Sequence, residues 1–208
     1  IDYLYTYGEE HKSLYPGAAA KGSSAGIEAM KDAAEGVTGL SIQYYGLIDM
    51  QGFSELIDAL GGVSIDVPVK LPYGPVTATK PYGTFQAGSQ QMNGYLALWY
   101  GRSRYMGTDY DRMARQRQVQ EAMVKQFQPS IVVTKFQDIA KAGAQVVKTD
   151  VPSGAIPGFV DLAEKARKIA LTHLELVPPT FNPAKPDYAK LHAAVQAAIA
   201  PVTASPPP

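Results

Sequence analysis

A chain of 208 residues, 46% of them apolar, is long enough to bury one core and short for two. Nineteen basic side chains balance nineteen acidic ones, so no net field draws it to nucleic acid or an anionic surface, and any anion needs a local cluster. The absence of cysteine excludes zinc–thiolate sites, thiol nucleophiles and disulfides.

The opening, Ile1 to Gly8, reads as the middle of a domain. Ser24 is placed to cap a helix with Ile27, Met30 and Ala34 on one face, ending near Gly36. Residues 41–49, SIQYYGLID, predict a buried strand because they are β-branched and aromatic. A short helix from Phe53 to Leu60 follows, stopped by Gly61 and Gly62. Val63, Ile65 and Val67 alternate with polar residues and predict a strand with one inward face. Pro68 and Pro72 then lead into a Gly/Pro/Tyr-rich loop reaching about Gly88.

Ser89 reads as the cap of a helix with Met92, Leu96 and Trp99 on its buried stripe and Gly101 closing it. A long helix runs from about Tyr110 to Gln128, stopped by Pro129, and the stretch Ile131 to Val147 is read as a further helix. Phe159, Leu162, Ala166 and Ile169 mark another helix, and Leu174 to Val177 a late strand. Asp187 caps a last helix with Leu191, Val195 and Ile199 inward. Alternating element types point to an α/β fold, an α/β/α sandwich around a central mixed sheet in a single domain over residues 1–200. The Pro-rich tail, 201–208, is expected to be disordered.

The informative stretch is YGRSRYMGTDYDRMARQRQ, residues 100–118. Arg102 and Arg104 are two apart in what reads as extended chain, so both guanidinium groups point one way. Asp109 and Asp111 precede the long helix, where acidic groups suit the N-terminus. Arg112, Gln116, Val119 and Met123 fall on one helical stripe, which turns Arg112 and Gln116 inward with the apolar pair. A buried arginine needs an anion. Asp109 supplies part of the balance, and Arg102 and Arg104 leave cation in excess. Planar guanidinium groups bind phosphate oxygens in pairs, so three converging arginines suit a diphosphate. The bland alternative is a set of solvated salt bridges.

Several blocks resemble the LytR–CpsA–Psr family: Gln51-Gly52-Phe53 with residues 56–63, LIDALGGV; Ala87-Gly88 through Asn93-Gly94; Ala97-Leu98 and residues 100–104; Asp109-Tyr110-Asp111-Arg112 with Arg115-Gln116. The resemblance implies an α/β/α sandwich with an apolar channel for a polyprenyl chain. It implies diphosphate binding by Arg102, Arg104 and Arg112, with Gln116 beside them. Asp109 is implied as the functional acid, either a base for the acceptor hydroxyl or the partner that orients an arginine. The implied activity is a Mg²⁺-dependent phosphotransferase that moves a polyprenyl-diphosphate-linked glycan onto a peptidoglycan sugar hydroxyl. The implied place is the extracytoplasmic face of the bacterial membrane, on an N-terminal helix.

The family's Mg²⁺-holding aspartates lie upstream of the position matching Ile1. The chain is therefore expected to lack its N-terminal part, to contain no metal ligands, to leave a sheet edge unprotected, and to act with that segment as covalent or separate chain. Asp111 stands where the family has glycine and reads as an ordinary first-turn acid. The Ala-rich helices and residues 178–183, PPTFNP, resemble actinobacterial members, which implies arabinogalactan as the glycan.

Two other functions are readable. A non-catalytic lipid-diphosphate or glycan-binding module fits the same arginines and the thirteen tyrosines. Residues 22–26, GSSAG, match the G-x-S-x-G elbow of a serine hydrolase with Ser24 as nucleophile and His173 or His192 as base, although 17–21 make a poor strand. No basic stripe with interleaved aromatics suggests a nucleic-acid partner. Ile48, Leu56, Leu96, Trp99, Val119 and Met123 read as core rather than as a lipid channel.

Overall fold

The computed structural model describes residues 2–126 and 147–200. In chain order the elements are α1 Asp2–Glu10, α2 Ala25–Thr38, β1 Gly46–Ile48, α3 Met50–Ala59, β2 Val63–Val67, β3 Leu71–Tyr73 and β4 Gly83–Phe85. They continue with β5 Gly88–Met92, α4 Gly94–Arg102, α5 Asp109–Gln126, β6 Val147–Thr149, α6 Ile156–Ala166 and α7 Tyr188–Ile199. The chain divides into two compact units, Ile1–Tyr45 with Thr172–Pro208, and Gly46–Leu171.

In the first unit α1 packs on α2 through glycine. A Cβ at Gly26 would stand 2.6 Å from the Tyr5 carbonyl oxygen, and one at Gly8 would collide with the Ala25 carbonyl. Ser24 caps α2 as expected, its Oγ accepting from Ile27 N at 3.4 Å, and Glu9 Oε1 accepts from Gly26 N at 3.0 Å. The helix runs past Gly36 and ends where Gly39 adopts φ 69°, a left-handed cap open to glycine. Helix α7 packs on α2, and His192 Nε2 lies 2.8 Å from the Gly36 carbonyl oxygen.

The second unit holds the main core: Ile57, Val63, Ile65, Val67, Leu71, Phe85, Met92, Ala97, Tyr100 and Val119 are all buried in it. Strand β2 alternates buried and exposed residues and pairs antiparallel with β5, from Val63 opposite Met92 to Val67 opposite Gly88. Its inner face meets α5, and α4 packs between α3 and α5. The β3–β4 hairpin joins this core through Phe85, which meets Tyr73 at 4.6 Å and the edge of Tyr100 at 5.5 Å.

The α/β class holds, with short antiparallel strands. Among the described residues there are three separate two-stranded antiparallel ladders, β1–β6, β2–β5 and β3–β4. Residues 41–45 are not strand. Ile42 N donates to Glu35 Oε1 at 2.7 Å and the Tyr45 hydroxyl to Gly22 O at 2.9 Å, so local bonds take the place of a ladder. Ser89 is a strand residue paired with Asp66, and the cap of α4 is Asn93, whose Oδ1 accepts from Leu96 N at 2.9 Å. The Gly/Pro/Tyr loop contains the β3–β4 hairpin. Leu174 to Val177 form no strand, being followed by two prolines that cannot donate to a ladder.

Helix α6 ends before Ile169, and Ile199 at the end of α7 is exposed while Leu191 and Val195 are buried. Most of the expected 131–147 helix and the tail 201–208 lie outside the described residues; Val147 opens β6.

Candidate anion site

Helix α4 ends on Arg102, so that arginine hangs from a helix terminus rather than from extended chain. Ser103 follows, completely buried, with its N–H donating to Trp99 O at 2.8 Å. Its hydroxyl donates to Pro72 O at 2.9 Å and accepts from Tyr105 N at 3.3 Å, while the Tyr105 hydroxyl donates to Pro75 O at 2.9 Å. The turn is therefore fastened to the β3–β4 hairpin by an inward serine. Arg102 and Arg104, on either side of it, are exposed.

Thr108 opens α5 through a reciprocal box. Its N–H and Oγ1 donate to Asp111 Oδ2 at 2.6 and 2.7 Å, and Asp111 N donates back to Thr108 Oγ1 at 3.3 Å. The Thr108 backbone bond, followed by the hydroxyl bond, holds the Asp111 carboxyl below the usual aspartate value. Asp111 is thus the first-turn acid that its position suggested. Asp109, one residue into the helix, faces the cations instead: its Oδ1 lies 3.5 Å from Arg112 Nη1 and 3.8 Å from Arg104 Nη2.

The buried stripe of α5 is Arg115, Val119 and Ala122, not the stripe through Arg112 and Gln116. Gln116 is exposed and donates from Nε2 to Gly101 O at 3.3 Å; Arg112 is half-buried. Arg115, which sequence reasoning passed over, is only 8% exposed and donates from Nη2 to the Ser103 carbonyl at 2.5 Å. Its spacing of four from Val119 and seven from Ala122 fits the buried stripe, as does the spacing of seven between Arg112 and Val119. Burial lowers the Arg115 pKa, opposed by Tyr100 and Asp111 and reinforced by nearby Arg112. The Nε atoms of Arg112 and Arg115 are both buried without a hydrogen-bond partner.

Arg102 lies over the Trp99 ring, 5.2 Å from its centroid, and shares with Gln116 a groove of about 270 Å³. Ile48, Met50, Phe53, Ala97, Leu98 and Val119 supply most of its apolar wall. The structure therefore gathers Arg104 and Arg112 on the Asp109 carboxylate and sets Arg102 with Gln116 on the groove. Arg112 and Gln116, one from each set, lie one turn apart on α5. Of the apolar residues read as core, Ile48 and Val119 line this groove. Among the described residues no three His, Asp or Glu side chains converge as a metal ion requires. Asp109 already faces two cations, so these residues do not form a Mg²⁺ site.

Ser24 and His192 lie at opposite ends of α2, one capping its N-terminus and the other bonded to Gly36. At 1.5 Å per residue the twelve intervening steps separate them by roughly 18 Å. His192 cannot serve Ser24 as a base, and the hydrolase elbow fails further because Ser24 follows a short 3-10 turn, Ala19–Lys21, rather than a strand.

A carboxylate-bridged arginine pair at a helix N-terminus is an arrangement whose chemistry suits an anion. The chain belongs to the LytR_cpsA_psr family, whose model matches residues 1–188. It is 27% identical over 165 residues to biofilm regulatory protein A of Streptococcus mutans, covering 76% of this chain and 39% of that protein. It is 30% identical over 128 residues to TagU of Enterococcus faecalis, a polyisoprenyl-teichoic acid–peptidoglycan teichoic acid transferase, covering 61% and 40%. The crystal structure of Bacillus subtilis TagV matches with a TM-score of 0.57 at 22% identity over 88% of this chain and 71% of that one, a likeness of fold. The chain spans about two-fifths of the length of the curated relatives it matches.

Proposed function

We propose that this chain carries the diphosphate-binding part of a phosphotransferase that moves a polyprenyl-diphosphate-linked glycan onto a peptidoglycan sugar hydroxyl. The observation that carries the proposal is the arginine pair, Arg104 and Arg112, held at the start of α5 around Asp109 with the Arg112 Nε buried and unpartnered. Family membership and the printed activity of the Enterococcus faecalis relative support it.

In this reaction the acceptor hydroxyl oxygen attacks the glycan-side phosphorus. The bond from that phosphorus to the bridging oxygen breaks, and polyprenyl phosphate leaves. Charge grows on the phosphate oxygens as the bridge opens, and fixed guanidinium groups lower its energy. Asp109 either takes the hydroxyl proton or holds Arg104 and Arg112 in place. Arg102 and Gln116, on the groove, would meet the part of the diphosphate nearest the lipid.

The proposal extends to the complete protein: Mg²⁺ dependence, attachment at the extracytoplasmic membrane face by an N-terminal helix, and arabinogalactan as the glycan. No step above passes through the metal.

The test is calorimetric titration of farnesyl diphosphate, a soluble stand-in for the lipid, into the chain and its Arg102→Ala, Arg104→Ala and Arg112→Ala variants. Each loss of a charge-assisted contact should weaken binding about tenfold, from ~1.5 kcal/mol per bond. Absence of binding by the parent chain at millimolar ligand would overturn the proposal. If Arg102→Ala lowers binding but the complete protein transfers no glycan, the non-catalytic binding module is the correct assignment.

A further inference from the structure

We infer that Arg115 is a positioning residue of this site: its buried guanidinium sets the distance between α5 and the Ser103 turn, and so places Arg102 and Arg104 relative to Asp109 and Arg112. The placement stands on geometry alone; its consequence for ligand binding rests on the function proposed above.

The position is unusual for an arginine. Its side chain is buried, it forms no ion pair among the described residues, and its Nε has no partner. An arginine that merely filled space there would be better replaced by an apolar side chain of equal length, because a desolvated cation needs compensation. What Arg115 does contact is the Ser103 carbonyl, between the two arginines of the turn.

Every other polar group of Ser103 is engaged by the α4 end, the hairpin or the turn itself: its N–H by Trp99 O, its hydroxyl by Pro72 O and Tyr105 N. Arg115 supplies the bond from α5. Helix α5 carries Asp109 and Arg112, and the turn carries Arg104, so this bond is a strut between the two halves of the cluster. A charged donor suits it, since charge-assisted bonds are shorter and stronger than neutral ones.

Trp99 makes the placement measurable. It is the only tryptophan in the chain, and the Arg102 guanidinium lies 5.2 Å from its ring. The experiment compares the parent with Arg115→Met, Arg115→Lys and, as reference, Arg102→Ala. Far-UV circular dichroism checks folding, Trp99 emission and iodide quenching report Arg102, and farnesyl diphosphate titration reports the site. Arg115→Met should shift Trp99 emission in the direction of Arg102→Ala and weaken binding at least fivefold. Arg115→Lys should recover part of both changes, since it restores the charge without the planar fork.

A folded Arg115→Met with parental emission and affinity would show that Arg115 only packs. Should Arg115→Met fail to fold, Arg115→Lys decides: parental emission and affinity there would equally overturn the inference. A parent chain that binds no diphosphate sinks the proposed function, while the emission comparison still decides the placement.

Discussion

Asp109 stands three residues before Arg112 on the first turn of α5, with its Oδ1 3.5 Å from the Arg112 Nη1. The same oxygen reaches Arg104 from the turn, although 68% of the Asp109 side chain is exposed. Water screens such pairs, so they add little to stability. Their effect is geometric, because one acceptor draws two cations from different elements.

Replacing Asp109 by Asn should leave farnesyl diphosphate binding equal or tighter at low ionic strength. It removes a negative charge beside the anion and sacrifices only two exposed pairs, each worth ~0–1 kcal/mol. In the complete protein the same variant should lose on the order of a hundredfold in transfer rate if the carboxylate takes the hydroxyl proton. A tenfold fall in affinity, seen by calorimetry, would instead identify Asp109 as the group that orients the arginines.

Ser103→Ala should cost about 1–3 kcal/mol, read as a lowered urea midpoint at unchanged slope. The variant strips the Tyr105 N–H and the Pro72 carbonyl of a shared partner, the completely buried Ser103 hydroxyl. A change below ~0.5 kcal/mol would mean that water enters the turn and replaces the hydroxyl.

Gly94→Ala should be among the most damaging single changes. A Cβ there would overlap the Ser54 carbonyl, backbone that cannot swing aside, where α4 crosses α3. A loss of about 1–3 kcal/mol or more is expected in thermal or urea unfolding. Parental stability would show that the two helices can part without cost.

Acid should weaken the first unit through Glu28. Burial pushes its carboxyl up, but the nearby Ser23 hydroxyl and Lys21, whose Nζ donates to it at 3.3 Å, outweigh this and the net pKa is lowered. A carboxyl lowered in the folded state contributes stability fully present above the unfolded value of about 4.3, and lost as pH falls through the folded value. The stability gap between the parent and Glu28→Gln should therefore narrow below pH ~4.3. A gap unchanged from neutral pH to pH ~3 would contradict that account.

Ser24→Ala should lose about 1 kcal/mol of helix stability and no chemistry, since the hydroxyl caps α2. Helicity followed against urea measures the first effect. Loss of an esterase activity shown by the parent would revive the hydrolase.

Local chemistry was legible where one residue type has one use. The cap at Ser24, the stop at Gly61 and Gly62, the alternation of Val63 to Val67 and the cap at Asp187 each follow from a side chain's reach or a backbone's freedom. Ser89 misled because Met92 and Leu96 sit four apart, a helical spacing that here spans a strand end and a helix start. The stripe of α5 misled for a related reason. Arg112 and Arg115 both lie within a turn of the stripe through Val119, and nothing in charge or size says which turns inward. Only the Ser103 carbonyl, supplied by another element, decides for Arg115. Pairing partners of strands as short as three residues are likewise tertiary facts.

The two proline carbonyls that grip Ser103 and Tyr105 make the 71–85 hairpin a lever on the arginine turn. Substitutions at its tip leave those two anchors untouched, whereas an inserted or deleted residue would drag Pro72 or Pro75 and swing Arg104 with it. Natural drift in this segment should therefore be free in spelling and strict in length.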